Sequence, residues 1–269
     1  MSDPFDLSGR VVIVTGGFGL LGRRFCAALA SRGASVASFD LSADARRASE
    51  VFGADSERIL SLRVDVTSRQ SLDTAVDAVT AQLGVPHGLV NAAALDSPPG
   101  APAEENGPFE TYPERSWDRV MEVNVKGTFL PCQVIGARMA AAGRGSIVNV
   151  SSIYGLVSPD QRIYEYRRSS GEPFFKPVAY SASKSAVLNL TRYLATYWGD
   201  KNVRVNTVTF GGVFSGQDSQ FLSGYTARVP LGRMAREDEY DGAIVFLLSD
   251  ASSYMTGSNL VIDGGWTAW

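Results

Sequence analysis

Short apolar runs alternate along the chain with longer amphipathic stretches. The runs occupy residues 11–15, 35–40, 59–66, 88–93, 146–152, 203–210 and 259–265. Apolar side chains at nearly every position of a run are typical of strands buried on both faces of a parallel sheet. The pattern therefore predicts an α/β fold over residues 1–269. We expect one doubly wound domain of about seven parallel strands, with helices on both faces.

Three segments interrupt this rhythm: 95–113, 159–177 and 211–228. Each follows the carboxyl end of a predicted strand, the edge at which open α/β sheets bind ligands. The second segment holds "IYEYRRSSGEPFFKP", with more aromatic residues than a solvated loop needs. We predict that 159–177 is an insert lining the substrate pocket, and that 211–228 is a lid. A subunit contact is the alternative for the insert.

Composition narrows the function classes. The 269 residues are 45% hydrophobic and 20% charged with a net charge of -3, so no nucleic-acid partner is expected. No basic region precedes an apolar core at the start, and no apolar run is long enough to span a bilayer, which predicts a cytoplasmic protein without a membrane partner. Cys26 and Cys132 read as reduced core thiols. With His87 as the only histidine, we expect no metal site.

Three glycines predict a phosphate-binding loop. Gly16, Gly19 and Gly22 lie between the first strand and the first helix, where a tight turn and free N–H groups suit a pyrophosphate. Asp40 ends the second strand, where a carboxylate accepts hydrogen bonds from ribose hydroxyls and repels a 2′-phosphate, so we predict NAD rather than NADP. A helix N-cap is the alternative role for Asp40. Asp65 closes the third predicted strand and could hold the adenine amino group.

A tyrosine and a lysine predict acid/base chemistry. Tyr180 and Lys184 are four residues apart and share a helix face, so the lysine cation should favour the phenolate and make Tyr180 a usable acid/base. Ser152, at the end of the fifth strand, could bond a substrate hydroxyl or carbonyl. Asn124 could hold a water that relays protons to the lysine. A plain surface pair is the alternative for the tyrosine and lysine.

These motifs together resemble the short-chain dehydrogenase/reductase family in its compact one-domain form, along essentially the whole chain. The resemblance implies a Rossmann-type fold and hydride transfer between a secondary alcohol and a ketone. It also implies that Tyr180 is the catalytic acid/base, Lys184 binds the nicotinamide ribose, Ser152 polarises the substrate and Asn124 completes a relay. In family order, the motifs are "TGGFGLLG", the aspartate at 65, "VNAAA", the asparagine at 124, "VSS", "YSASK", "VRVNTVTFGG" and "YMTGSNLVIDGGW".

The resemblance extends to binding residues. The expected cofactor-binding residues are Gly16, Phe18, Gly19, Leu20, Gly22, Asp40, Leu41, Asp65, Val66, Asn91, Ala92, Ala93, Tyr180, Lys184, Gly211 and Val213. The expected substrate-binding residues are Ser152, Tyr154, Arg162, Tyr164, Arg167, Tyr180 and Gly212. Those of the insert are expected from its composition rather than from the resemblance, because arginines could meet a carboxylate or phosphate and aromatic rings could cover a sugar face.

Four features of the sequence depart from the family pattern. Leu20 stands where the compact form has its middle glycine, "NAAA" replaces the usual Asn-Asn-Ala-Gly, and Phe210 replaces a proline. The stretch between Ser152 and Tyr180 is longer than usual because of the insert.

The leading hypothesis is an NAD(H)-dependent oxidoreductase of carbohydrate metabolism that interconverts a secondary alcohol and a ketone of a sugar-like molecule. A looser resemblance is to oxidoreductases of bacterial surface-sugar, sialic-acid-like biosynthesis. One alternative is an epimerase or dehydratase that uses tightly bound NAD transiently. Another is a non-catalytic NAD(H)-sensing regulator. Family resemblance further implies a homo-oligomer, either a dimer or a homotetramer.

Overall fold

The computed structural model describes residues 3–96 and 103–269. Seven strands form one parallel sheet in the order β3-β2-β1-β4-β5-β6-β7. The strands are β1 Val11–Thr15, β2 Ser35–Asp40, β3 Ile59–Arg63, β4 Gly88–Asn91, β5 Gly145–Ser152, β6 Val203–Phe210 and β7 Asn259–Ile262. The predicted α/β class and its doubly wound parallel sheet are confirmed.

Helices connect the strands and cover both faces of the sheet. They are α1 Leu20–Ser31, α2 Ala45–Phe52, α3 Arg69–Leu83, α4 Glu114–Met121, α5 Gly127–Ala141, α6 Ile153–Leu156, α7 Glu165–Ser169, α8 Val178–Trp198, α9 Ser219–Thr226 and α10 Asp241–Leu248. Within the described residues, no helix has the length and apolar character needed to cross a membrane.

Alternate residues of β1 enter different cores, as expected for a strand buried on both faces. Ile13 packs in the core formed with α3, α5 and α8, where Leu72 and Ile135 are fully buried. Val14 packs in the opposite core with α1 and α10, where Phe25 and Ile244 are fully buried. The chain therefore needs apolar residues at successive positions of β1.

The strand order reverses beside β1, because β2 and β4 are its two neighbours. A crevice forms at the carboxyl ends of the strands at such a reversal. The glycine loop follows β1 at this edge, and Ser152 ends β5 at the same edge. The topology thus brings the predicted cofactor loop and the predicted catalytic residues to one side of the sheet.

Three predicted strands are shorter than their apolar runs. β3 ends at Arg63, β4 at Asn91 and β7 at Ile262. Asp65 therefore lies beyond β3 rather than closing it. The reason is local, because the Asp65 carboxylate accepts hydrogen bonds from the backbone N–H and hydroxyl of Thr67, which turns the chain towards α3.

The three irregular segments have local structure of their own. In segment 95–113, residues 97–102 lie outside the described residues, and two 3₁₀ turns follow them at Ala103–Asn106 and Phe109–Thr111. The insert contains a 3₁₀ turn at Gln161–Tyr164 and then α7. The predicted lid contains α9.

Candidate active site

The glycine loop after β1 has no space for side chains. Gly16 has φ +66°, and a Cβ there would lie 2.7 Å from the Cα of Ala93. A Cβ on Gly22 would lie 2.0 Å from the carbonyl oxygen of Gly16. Gly19 is the N-cap of α1 and has no side chain that could bond the first turn, and it lines the cleft with Gly16, Gly22, Leu20 and Leu21. A backbone cradle of this kind at a helix N-terminus fits a pyrophosphate.

Asp40 is tied to this loop and does not cap a helix. One carboxylate oxygen accepts from the backbone N–H of Phe18 at 3.1 Å, and the other accepts from the N–H and hydroxyl of Ser42. The N-cap of α2 is Asp44, whose side chain accepts from the N–H of Arg47. Helix capping by Asp40, the alternative considered above, is therefore wrong. Its carboxylate lies at the edge where a ribose would follow the pyrophosphate.

The neighbouring cofactor candidates differ in exposure. Leu41 is 62% exposed beside Asp40, whereas Val66 is buried beside Asp65. None of these four residues belongs to the lining of the catalytic cleft described below. They lie on the side of the sheet where the adenosine half of a dinucleotide would extend.

Asn91 does not face the cleft. Its side-chain amide donates to the Oδ1 of Asn149 at 2.8 Å and contacts the sulfur of Cys132, deep in the core between β4 and β5. A role for its side chain in cofactor binding is not supported, because its N–H groups are committed to these core partners. The backbone after it lies closer to the cofactor loop, since the N–H groups of Ala92 and Ala93 both donate to the Thr15 hydroxyl.

The predicted catalytic residues Ser152, Tyr180 and Lys184 line one cleft of about 460 Å³. Ser152 is the last residue of β5 and the N-cap of α6. The Lys184 ammonium lies 5.9 Å from the centroid of the Tyr180 ring and donates to the carbonyl of Val150 at 3.0 Å. These residues, the glycine loop and the backbone of Gly211–Val213 share the cleft, so the structure brings the predicted set together.

Burial dominates the ionisation of these groups. It raises the pKa of Tyr180 well above its usual range; the Asp96 charge adds to the rise and hydrogen bonding with Ser152 opposes it. Burial also lowers the pKa of Lys184 to about 8, against the opposing pull of Asp96. The expected lowering of the tyrosine pKa by the lysine is therefore not seen in the protein alone, where loss of solvent dominates. At neutral pH Tyr180 therefore carries its proton.

Asn124 lies on a π-helical turn, Glu122–Lys126, between α4 and α5. Its Oδ1 accepts from the N–H of Leu95 at 2.7 Å, and its amide donates to the Leu95 carbonyl and to the Ser183 hydroxyl, both at 3.0 Å. The side chain is 1% exposed. Both amide hydrogens are thus used to join the loop after β4 to α8. A water of the predicted relay could therefore only donate a hydrogen bond to an oxygen atom of Asn124, because both amide hydrogens are already used.

One aromatic residue of the insert, Tyr164, forms part of the wall of the cleft, and Phe174 packs against it. Tyr164 and Phe174 are buried with their rings 4.9 Å apart, and Tyr164 also packs 5.8 Å from Phe221 of α9. Tyr154, Tyr164 and Phe221 all line the cleft. On the lid side, Tyr225 accepts a hydrogen bond from the Gly212 N–H and stacks 4.4 Å from Trp266. The predicted substrate residues Tyr154, Tyr164 and Gly212 therefore border the cavity.

The two predicted substrate arginines lie elsewhere. Arg162 is 84% exposed and turns back to Asp160 of its own turn. Arg167 pairs with Glu172, and its guanidinium lies 4.0 Å from the Phe174 ring, facing an outer chamber rather than the cleft. The prediction that these arginines meet the substrate is not supported, because local carboxylates hold both side chains within the insert.

Sequence reasoning missed the charged residue of the insert that lines the cleft. Lys176 lies there beside Asp96, and its ammonium is 4.8 Å from the centroid of the Tyr180 ring. Its position only four residues before Tyr180 could have indicated that it lies near the active site. Nothing in the sequence pattern pointed to Asp96, which is 80 residues from Lys176.

Comparison with known sequences adds independent evidence. A family model described as enoyl-(acyl carrier protein) reductase matches residues 20–267. D-threitol dehydrogenase of Mycolicibacterium smegmatis is 36% identical over 98% of this chain and 95% of the relative. NAD-dependent glycerol dehydrogenase of Listeria innocua is 31% identical over 98% of this chain and 96% of the relative.

Solved structures share the fold along nearly the whole chain. A short-chain dehydrogenase from Leptospira borgpetersenii with bound NAD+ has a TM-score of 0.84 and 30% identity, covering 99% of this chain and 96% of that one. A gluconate 5-dehydrogenase from Burkholderia cenocepacia, in complex with NADP and tartrate, has a TM-score of 0.84 and 27% identity, covering 99% and 98%. Similar structures thus carry either dinucleotide.

Proposed function

The chain belongs to the short-chain dehydrogenase/reductase family of oxidoreductases, and on that premise we propose that it interconverts a secondary alcohol and a ketone of a small, neutral, sugar-like polyol with NAD(H). The observation that carries the proposal is the meeting of Ser152, Tyr180 and Lys184 in one cleft with the glycine loop. A surface tyrosine–lysine pair would show neither this burial nor a shared cavity.

The residues present fit a nicotinamide dinucleotide. The glycine loop would hold the pyrophosphate, Asp40 the adenosine ribose, and Lys184 the ribose of the nicotinamide. When bound, the dinucleotide would supply the acceptor for the hydride that leaves the carbinol carbon. The Asp40 carboxylate favours NAD over NADP, because a 2′-phosphate would place a second negative charge beside it.

The chain's own residues handle the proton and orient the substrate. Tyr180 keeps its proton at neutral pH and can donate it to a ketone oxygen during reduction. During oxidation it must instead take the carbinol proton, which becomes easier as pH rises. Ser152 would orient the reacting oxygen of the substrate. The protonated form of Lys184 would stabilise negative charge on the phenolic oxygen of Tyr180.

The cleft favours a polar but uncharged substrate. Asp96, Lys176 and Lys184 are the charged side chains among its described lining residues, and no arginine is among them. Ser152, Tyr154 and Gln217 add polar side chains. The names of the threitol and glycerol dehydrogenase relatives support a polyol.

The test is a set of polyols and simple alcohols incubated with NAD+ or NADP+ and followed at the nicotinamide absorbance. The proposal expects NADH to form when polyols are incubated with NAD+, and less NADPH to form when they are incubated with NADP+. Turnover without net NADH formation, from protein that purifies with NAD bound, would instead support an epimerase or dehydratase. Binding of NADH with no turnover of any alcohol or ketone would support a sensor.

Other expectations remain predictions. They are the cytoplasmic location, the dimeric or tetrameric assembly, which light scattering would test, and the looser resemblance to surface-sugar oxidoreductases.

A further inference from the structure

An ion pair crosses the mouth of the cleft directly beside the catalytic tyrosine. Lys176, from the end of the insert, donates to the Oδ1 of Asp96, from the loop after β4. The lysine side chain is 9% exposed, whereas Asp96 is 58% exposed. Because the Lys176 ammonium lies 4.8 Å from the Tyr180 ring centroid, the pair is within reach of a substrate whose carbinol meets that tyrosine.

The insert holds Lys176 in this place. The side-chain amide of Gln161 donates to the Lys176 carbonyl at 3.1 Å, and its oxygen accepts from the Lys176 N–H at 2.9 Å. The next residue back, Phe175, donates its N–H to the carbonyl of Asn106 at 2.7 Å. The backbone of Lys176 and of the residue before it is therefore fixed, which reduces the entropy lost when the ammonium binds a ligand.

The pair also stands between two cavities. Asp96, Lys176, Tyr164 and Phe221 line both the catalytic cleft and an outer chamber of about 630 Å³. A substrate with its reacting carbon at Tyr180 and further carbons directed outwards would pass this pair. Its next polar group would lie beside the carboxylate and the ammonium.

We propose that Asp96 and Lys176 together determine specificity by binding a neutral hydroxyl next to the reacting carbinol. One hydroxyl can donate its hydrogen to the Asp96 carboxylate and accept a hydrogen from the Lys176 ammonium at the same time. A carboxylate would be attracted by the lysine and repelled by the aspartate, and a hydrocarbon would form a hydrogen bond with neither. The site therefore selects vicinal diols over hydroxy acids and over simple alcohols.

This inference rests on the proposed function and can fail separately from it. The substrates are 2,3-butanediol, 2-butanol, which lacks the second hydroxyl, and 3-hydroxybutyrate, which carries a carboxylate. For the wild type with NAD+, kcat/KM should be at least about tenfold higher for the diol than for 2-butanol. A wild type that oxidises neither alcohol contradicts the proposed function. Equal use of the two alcohols contradicts only the recognition by the pair.

Two variants test the pair. Lys176→Met and Asp96→Asn should each lower the ratio of kcat/KM for the diol to kcat/KM for 2-butanol by roughly 10- to 100-fold. The ratio is compared because the Asp96 charge also raises the pKa of Tyr180, so Asp96→Asn alters the rates with both alcohols. Asp96→Asn leaves a net positive charge, so it should raise kcat/KM for 3-hydroxybutyrate, whereas Lys176→Met should lower it. Lys201→Met is the matched control, because Lys201 forms an exposed pair with Asp200 outside both cavities.

The pattern across substrates decides the outcome. Equal losses for the diol and for 2-butanol would show that the pair acts on Tyr180 rather than on the substrate, and would overturn the inference. So would a gain for the hydroxy acid in Lys176→Met. Circular dichroism and the NADH dissociation constant should match the wild type in both variants; a variant that is misfolded is replaced by Lys176→Gln or Asp96→Ser in the same assay.

Discussion

Phe174 should be the anchor that keeps the insert closed against the cleft. Its side chain is 4% exposed, its ring lies 4.9 Å from that of Tyr164, and the Arg167 guanidinium lies 4.0 Å from its centroid. Replacing such a buried phenylalanine with alanine lowers the free energy of unfolding by about 3–5 kcal/mol. The loss comes from the transfer free energy of the removed ring and from the cavity that remains. We expect this loss to appear first as easier local opening of the insert, because the insert is an irregular segment outside the sheet.

Hydrogen exchange measures the opening directly. The N–H of Phe175 donates to the Asn106 carbonyl and is protected only while the insert is closed. A loss of about 3 kcal/mol should speed its exchange in Phe174→Ala by roughly 100-fold, since 1.4 kcal/mol corresponds to a factor of ten. Phe109→Ala is the control, because Phe109 is 73% exposed and its removal should cost less than about 0.5 kcal/mol.

Kinetics then show whether the closed insert matters for the reaction. In Phe174→Ala, kcat/KM for the polyol that the wild type oxidises best should fall by tenfold or more. The affinity for NADH should stay within about twofold of the wild type, because the glycine loop belongs to other elements of the fold. Faster exchange with unchanged kcat/KM would refute the role of the insert as a substrate wall. Dissociation into smaller species with intact kinetics per site would make it a subunit contact.

Further predictions concern the cofactor loop and the buried lysine. Gly22→Ala should weaken NADH binding at least about 100-fold, because its Cβ would lie 2.0 Å from the Gly16 carbonyl oxygen. Gly242→Ala is the control and should bind NADH like the wild type, because nothing lies within 4 Å of a Cβ there. Equal NADH affinities of the two variants in titrations would contradict the geometry. Asp40→Asn should lower the ratio of kcat/KM with NAD to kcat/KM with NADP by about tenfold. A wild type that prefers NADP would contradict the role of Asp40 in selecting NAD. The pKa of Lys184, lowered to about 8, means that the unfolded chain binds more protons between about pH 8 and pH 10, so the free energy of unfolding should rise by about 2 kcal/mol over that range. Lys184→Met should abolish the rise in urea titrations, and above about pH 10 the raised pKa of Tyr180 should make stability fall again, because the unfolded chain then loses a proton that the fold retains.

Much of the fold follows from local sequence patterns. β1, β2 and β6 have the predicted bounds because apolar runs buried on both faces are readable without knowledge of their partners. Ser152, Tyr180 and Lys184 were also predictable, since each lies at a fixed place relative to a strand end or helix start. Parallel topology then brings these places to one edge.

Side-chain direction within the site was not predictable in the same way. Arg167 was expected to face substrate, but Glu172 and Phe174 hold it within the insert. Asn91 was expected at the cofactor, yet it turns to Asn149 in the core. In both cases a protein partner holds the side chain, and only the assembled structure shows which partner is contacted.

The contact between Lys176 and Asp96 is the clearest limit of sequence reasoning. It joins an insert to a loop 80 residues away, and no periodic pattern links them. Such long-range polar pairs depend on how two irregular segments pack, which is the part of the structure least constrained by local propensity.

The central claim is that Tyr180 transfers the proton in the cleft. Tyr180→Phe removes only the phenolic oxygen, so NADH should bind within about twofold of the wild type while kcat falls by roughly 100- to 10,000-fold. Tyr193→Phe is the matched control on the same helix, because Tyr193 is 62% exposed and should leave both values unchanged. The account predicts an inactive enzyme that still binds NADH; turnover of Tyr180→Phe within tenfold of the wild type would contradict it.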